Sequence, residues 1–184
     1  MKLCFLSAAA ILVAGITMQA QAADSANIDF SGNITTSTCD VSIDGAGTSK
    51  EIKLDDITVP SMKAATSTPA QKASFAITVK NCAASVTDGG KVKGQFSTTG
   101  NYNSTTQALL NTDLSGDKDA GFRVQDTATN TIIDFKSALP QSEATYSSTD
   151  GAAFNYTVGY IYSGTGTPAV GVVKANTTFT TTYP

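Results

Sequence analysis

Few side chains in this 184-residue sequence are placed to do chemistry. Histidine is absent, which removes the Ser-His-Asp triad, His-ligated zinc and any imidazole base. The stretch Asp113-Leu114-Ser115-Gly116-Asp117-Lys118-Asp119 hints at a calcium loop, but it lacks the spacing and terminal glutamate of an EF-hand and reads as a solvated turn. Asp55-Asp56 could be paired carboxylates, yet neighbours on a strand point to opposite faces, so a strand end or turn is the expectation. Gly164-Thr165-Gly166 has no lysine and no helix behind it, and reads as a hairpin turn rather than a phosphate loop. Tyr156, Tyr160 and Tyr162 could stack a sugar; their alternation more simply puts them on the core face of one strand. Neither catalysis nor a cofactor or metal is expected.

The remaining reactive side chains are cysteines, and their meaning depends on compartment. Lys2, the apolar run from Leu3 to Val13 and the Ala20-Gln21-Ala22 triplet make a secretory signal over residues 1–22, too short in its apolar part to span a bilayer. Cleavage there removes Cys4 and leaves Cys39 and Cys82 as an even pair in an oxidising compartment, where a disulfide is expected. A catalytic or metal-binding cysteine would lack a partner, there being no histidine and no C-x-x-C. After cleavage 162 residues with a net charge of −4 remain, a length natural for one domain, with no electrostatic reason to bind nucleic acid.

Composition and period then indicate what positions these residues. Only 15% of residues are charged, against ~25% in ordinary soluble domains, while 28 are threonine. Such a chain favours strands over helices. Period-2 alternation recurs: Ile28 to Ile34 running on to Ile43, a second short strand at Ile52, Leu54 and Ile57, then Phe75 to Val79, Val92 to Phe96, Phe122-Val124 returning through Ile132-Ile133, and Phe154 to Tyr162. Pro60 to Gln71 reads as a loop, and Gly100 to Leu114 as a polar loop with a weak apolar end. The clearest strand is the last, with Gly171, Val173, Ala175, Thr177, Phe179, Thr181 and Tyr183 on one face. Short strands punctuated by turns predict an all-β sandwich.

The two ends of the sequence are complementary. The last strand runs to Pro184, leaving no residues for a strand to cover its edge, and such an edge invites pairing with another chain. Ahead of the first retained cysteine lies a surplus strand with Ala26, Ile28, Phe30, Gly32 and Ile34 on one side. The expectation is that the spare strand of one molecule completes the sheet of the next, main-chain hydrogen bonds giving affinity and alternating side chains giving register. Donor and acceptor are different surfaces, so the contact need not close and repetition gives a filament.

These residues resemble the chaperone–usher fimbrial subunits of the type 1, P, F17 and K99 kind. Phe30-Ser31-Gly32-Asn33-Ile34, with Cys39 seven positions after Gly32, is similar to the family's donor segment, and Phe75-x-Ile77-x-Val79-x-Asn81-Cys82 to the strand carrying its second cysteine. Gly171, fourteenth from the end, and penultimate Tyr183 resemble its C-terminal β-zipper, though Thr177 and Thr181 are less apolar than in many members. The resemblance implies an incomplete immunoglobulin-like β-sandwich lacking its last strand, divided into a donor extension at 23–36 and a pilin domain at 37–184. It implies identical or related fimbrial subunits, a periplasmic chaperone and an outer-membrane usher as partners, and a route through the periplasm to a cell-surface fimbrium. A major structural subunit is the leading reading; a minor adaptor subunit, or a major subunit that itself binds a host glycan receptor, stays open.

Overall fold

The computed structural model describes residues 39–82 and 86–183. The expected signal segment and the expected donor positions Ala26, Ile28, Phe30, Gly32 and Ile34 lie outside the described residues.

Nine strands and one short helix make up the described chain. Alternating apolar positions give β1 (Asp40–Ile43), β2 (Ala70–Lys80), β3 (Lys91–Ser97) and β8 (Ala152–Tyr162). Between them come β4 (Tyr102–Asn103), β5 (Ala108–Leu110), β6 (Ala120–Asp126) and β7 (Ser142–Thr145), and the chain closes with β9 (Thr178–Thr182). They build a six-stranded sheet ordered β1-β2-β8-β6-β5-β4 and a three-stranded sheet ordered β7-β3-β9. Every ladder is antiparallel, the longest joining β2 to β8 with Phe75 opposite Tyr156 and Ile77 opposite Phe154. Inward residues of both sheets, among them Ile77, Val92, Phe96, Val124, Phe154 and Tyr156, merge into one apolar core, the packing expected of a sandwich.

Several features depart from the sequence reading, among them an unexpected strand β7 and, at Ile132-Ile133, a single bridge from Gln125 to Ile132 where a return strand is expected. The stretch read as a loop from Pro60 contains helix α1 (Val59–Ala64), capped by Thr58, whose hydroxyl accepts the Ser61 amide, with a proline in its first turn. Met62 is its buried residue and packs with Ala120 and Tyr162 at one end of the sandwich. The residues expected as a second strand, Ile52, Leu54 and Ile57, pack inward but lie in segment 51–58, which forms no ladder. Gly100 to Leu114 holds a hairpin, β4 to β5, with the Leu114 side chain fully in solvent. The last strand is shorter than its pattern: β9 begins at Thr178, not near Gly171.

Candidate functional site

The C-terminal segment is held in two different ways along its length. From Thr178 to Thr182 it is an ordinary ladder on β3, Phe179 facing Phe96 and Thr181 facing Gly94. Before that it is pinned by one side chain, Asn111, buried just after β5. Its Nδ2 donates to the carbonyls of Val172 at 2.9 Å, Asp113 at 3.1 Å and Asp117 at 3.2 Å, and its Oδ1 accepts the amides of Lys174 at 2.8 Å and Asp113 at 2.9 Å. The Thr112 amide adds a bond to the Lys174 carbonyl at 2.8 Å. An amide side chain thus replaces a stretch of sheet, which is why alternation continues where the ladder does not.

Val173, Ala175, Phe179, Thr181 and Tyr183 are half-buried, in step with the predicted face, whereas Gly171 and Thr177 are exposed. Gly171 has φ +150°, and a Cβ there would come within 2.1 Å of the Ser115 carbonyl oxygen, so close backbone approach excludes any larger residue. Among the described residues no strand pairs with the outer edge of β9.

Beside that edge lies a groove of about 670 Å³. Val173, Ala175 and Phe179 form one wall; Val41 and Ile43 of β1 with Ile52 and Leu54 form the other. The floor is the core itself, with Phe75, Ile77, Phe96, Leu109, Phe122, Val124 and Val158 reaching it. Phe179 anchors this wall. Its ring meets Phe96 at 4.9 Å, Phe154 at 5.4 Å and Tyr156 at 6.2 Å, all edge-on, the preferred aromatic geometry. The irregular segment 51–58 belongs to the groove as much as any strand, and its alternating Ile52 and Leu54 are the signal by which sequence could mark it. The sequence places Gly94 and Phe96 on a strand and Asn111 in a loop, but their roles at the groove come from contacts between distant segments.

The charged residues that line the groove, Lys50, Glu51 and Lys174, are exposed at its rim. Lys50 pairs with Asp44 at 2.8 Å, and the Lys50 bond with that of the Ala76 amide holds the Asp44 carboxyl below the usual carboxylate range. Lys174 pairs with Asp113 at 3.3 Å; the Ser115 hydroxyl and amide, then Lys174, bring the Asp113 carboxyl down to about 2. Burial pushes the Tyr102 hydroxyl up, helped by its bond to Asp134 at 2.8 Å, and burial lowers Arg123, whose guanidinium donates to the carbonyls of Thr106 and Ser67. These groups serve turns and ladders rather than the groove floor. Asp113 and Asp117 accept backbone amides of their own loop, from Ser115 and Asp119, and among the described residues no cluster suits a metal ion. Asp55 and Asp56 are exposed in the irregular segment. Of the three tyrosines, Tyr156 and Tyr162 are buried and Tyr160 lies half-buried against Phe122, so none presents a sugar-stacking face.

At the far end of the groove Cys39 and Cys82 form a disulfide with Cα atoms 4.1 Å apart. It fastens the start of β1 to the end of β2, beside the pair Asp40–Lys80, and Asn81 Nδ2 reinforces the join by donating to Asp40 at 2.7 Å. What the site offers is an unpaired strand edge above an apolar trough, suited to taking up an extended segment.

The family described as fimbrial protein matches residues 28–184. The chain belongs to that family. This fimbrial subunit is accordingly a structural, non-enzymatic protein of cell-surface pili. No curated protein matches its sequence. Among solved structures it is similar to the P pilus rod subunit PapA, with a TM-score of 0.59 at 19% identity over 79% of this chain and 99% of that one. It is similar also to a chaperone–usher pilus whose structure explains rod uncoiling, with a TM-score of 0.54 at 19% identity over 88% and 96%. A third likeness is to a Burkholderia pseudomallei antigen and type I fimbria protein, with a TM-score of 0.51 at 22% identity over 80% and 100%. At these identities the likeness carries the immunoglobulin-like pilin fold. No helix among the described residues is long and apolar enough to cross a membrane.

Proposed function

We propose that this chain is the structural subunit of an adhesive fimbria that polymerises by donor-strand exchange. Residues 23–36 of one copy enter the groove of another, with Ala26, Ile28, Phe30, Gly32 and Ile34 facing its floor and the main chain pairing with β9. The groove edge formed by Val173, Ala175, Thr177, Phe179, Thr181 and Tyr183 is then the surface that a periplasmic chaperone holds first and an outer-membrane usher hands over to the incoming subunit. Delivery through the periplasm follows from the signal at residues 1–22.

The observation that carries this reading is the trough of about 670 Å³ running beside the unpaired edge of β9 and floored by core side chains. Its volume is that of a small-molecule pocket, about 300–1,000 Å³, but such pockets fix ligands with convergent polar groups, and here the polar residues sit on the rim. An extended peptide supplies what the trough needs, a row of amides for the edge and apolar side chains every second residue for the floor.

The test is denaturation of the subunit with and without a synthetic peptide of residues 23–36. At peptide one hundred times above its dissociation constant, linkage predicts a gain of about 2.7 kcal/mol in unfolding free energy. A peptide with Ile28 and Phe30 changed to Asp is expected to give no gain. An unchanged unfolding midpoint with the native peptide would refute the donor assignment.

A further inference from the structure

Four large apolar side chains among the described residues are exposed, and three of them, Leu114 (102% exposed), Val170 (79%) and Val172 (48%), lie on two segments whose backbones touch at Ser115-Gly116 and Gly171-Val172. These segments are not loose. The Ala169 amide donates to Asp117 at 2.8 Å, Asn111 holds the Val172 carbonyl at 2.9 Å, and Ser115 donates its hydroxyl to Asp113 at 2.6 Å. Apolar side chains fixed in solvent on loops that would ordinarily be polar mark a surface that is covered in use.

The position of the cluster indicates what covers it. It lies at the end of the sandwich where β6 starts and β8 finishes, since the Asn111 amide donates to Ala120 and the Ser163 amide to Asp119, both at 2.8 Å. The disulfide lies at the opposite end, where Val79 of β2 pairs with Ala152 at the start of β8. The C-terminal segment runs from the first end to the second. It starts at Val172 within the apolar cluster and brings Thr182 to Lys93, on a strand whose beginning faces Thr145, next to the Tyr146 hydroxyl that accepts the Cys82 amide.

The next step rests on the donor-strand reading above. Ile34 and Cys39 are five residues apart in sequence, a reach of at most about 17 Å, so the body of the donating copy must sit close to where its strand leaves the groove. A donor parallel to β9 would leave at the disulfide end. Each copy's own strand also springs from that end, so the copy it enters and the copy that enters it would compete for one place. A donor antiparallel to β9 leaves at the other end, and the two neighbours then occupy opposite poles. We infer that Leu114, Val170 and Val172 form the seat on which the disulfide-bearing end of the donating copy rests, a contact between subunits additional to the donor strand. Because the two ends differ, the contact is heterologous and repeats along the filament.

A benzophenone side chain introduced at Val170 or Leu114 in filaments recovered from cells making the full secretion apparatus tests this. Light is expected to join neighbouring subunits through Asp40, Asn81 or the Ser147–Gly151 turn of the second copy, all at its disulfide-bearing end. The same group at Leu139, exposed elsewhere, is expected to give no such product. Filaments that form normally but cross-link from Val170 and Leu114 to other residues, or only to a secretion protein, would overturn the seat and leave the donor strand intact. Filaments failing to form even without the probe would remove both. Independently, the pair Leu114→Ser and Val170→Ser should leave the stabilisation of the isolated subunit by donor peptide unchanged, while filament dissociation in denaturant accelerates about tenfold; an unchanged dissociation rate would also overturn the seat.

Discussion

Phe179 reaches the core only because Gly94, its diagonal neighbour on β3, has no side chain: a Cβ there would stand 2.5 Å from the ring's far carbon and 3.2 Å from Phe154. Gly94→Ala would push the ring off Phe96, Phe154 and Tyr156 toward the trough, and should destabilise by about 1–3 kcal/mol through overpacking. Phe179→Leu should lose packing alone, and the double variant should be less destabilised than the sum of the two, as denaturant melts of the four proteins would show. Asn111→Ala removes five hydrogen bonds from a buried site and should cost about 2–4 kcal/mol, with the Lys174 amide losing exchange protection first. Asp113 gives a pH signature. Its folded pKa of about 2 lies below the unfolded value, so its contribution is complete above roughly pH 4 and is lost as pH falls through the folded pKa. The chemical shift of the Ser115 amide, which Asp113 accepts, should titrate near pH 2 and stop titrating in Asp113→Asn.

At the scale of elements, what could be read from sequence follows how locally each element is determined. β3 alternates between buried and open positions along its whole length, and β2 and β8 do so over part of theirs, so period 2 is sufficient to find them; β6 shows the period in Phe122 and Val124 although both of its faces are covered. β7, sequence SEAT, carries almost no apolar signal; it is a strand because β3 offers Lys91 to Gly94 as partners. Helix α1 is six residues long, too short for a helical period to emerge, and its marks were the Thr58 cap and Pro60. The groove's alternating C-terminal wall was legible, but its division at Thr178 was not, since Asn111 reaches Val172 across 61 positions. Cys39 and Cys82 were legible as a pair once the segment carrying Cys4 was read as a secretory signal. Their bond joins β1 to β2 across 43 residues of sequence, so replacing both with serine should cost about 4 kcal/mol in the chain-entropy view. Equilibrium melts of the subunit saturated with donor peptide would measure it, and the loss should fall on β1, whose Val41 and Ile43 wall the groove.

For the whole molecule, on the donor-strand proposal, the direction of that strand decides how copies stack, and it can be read from a single chain. If residues 23–36 run antiparallel to the C-terminal segment, their first residue lies near Tyr183, and a four-residue Gly-Ser linker beyond Pro184 suffices to fold the donor back into the groove of its own chain. That is an ordinary hairpin length. If they run parallel, the linker must first return from Tyr183 to Val173, ten residues or about 33 Å of extended strand, which four residues reaching about 14 Å cannot bridge. The short-linker fusion is therefore expected to be a monomer that melts higher than the parent and joins no filament, since its edge is closed. A fusion stabilised only with a linker of fourteen residues or more would establish the parallel direction. In that case the neighbour would sit at the disulfide end and the Leu114 seat would be wrong, while the trough would still be the place where strands are exchanged.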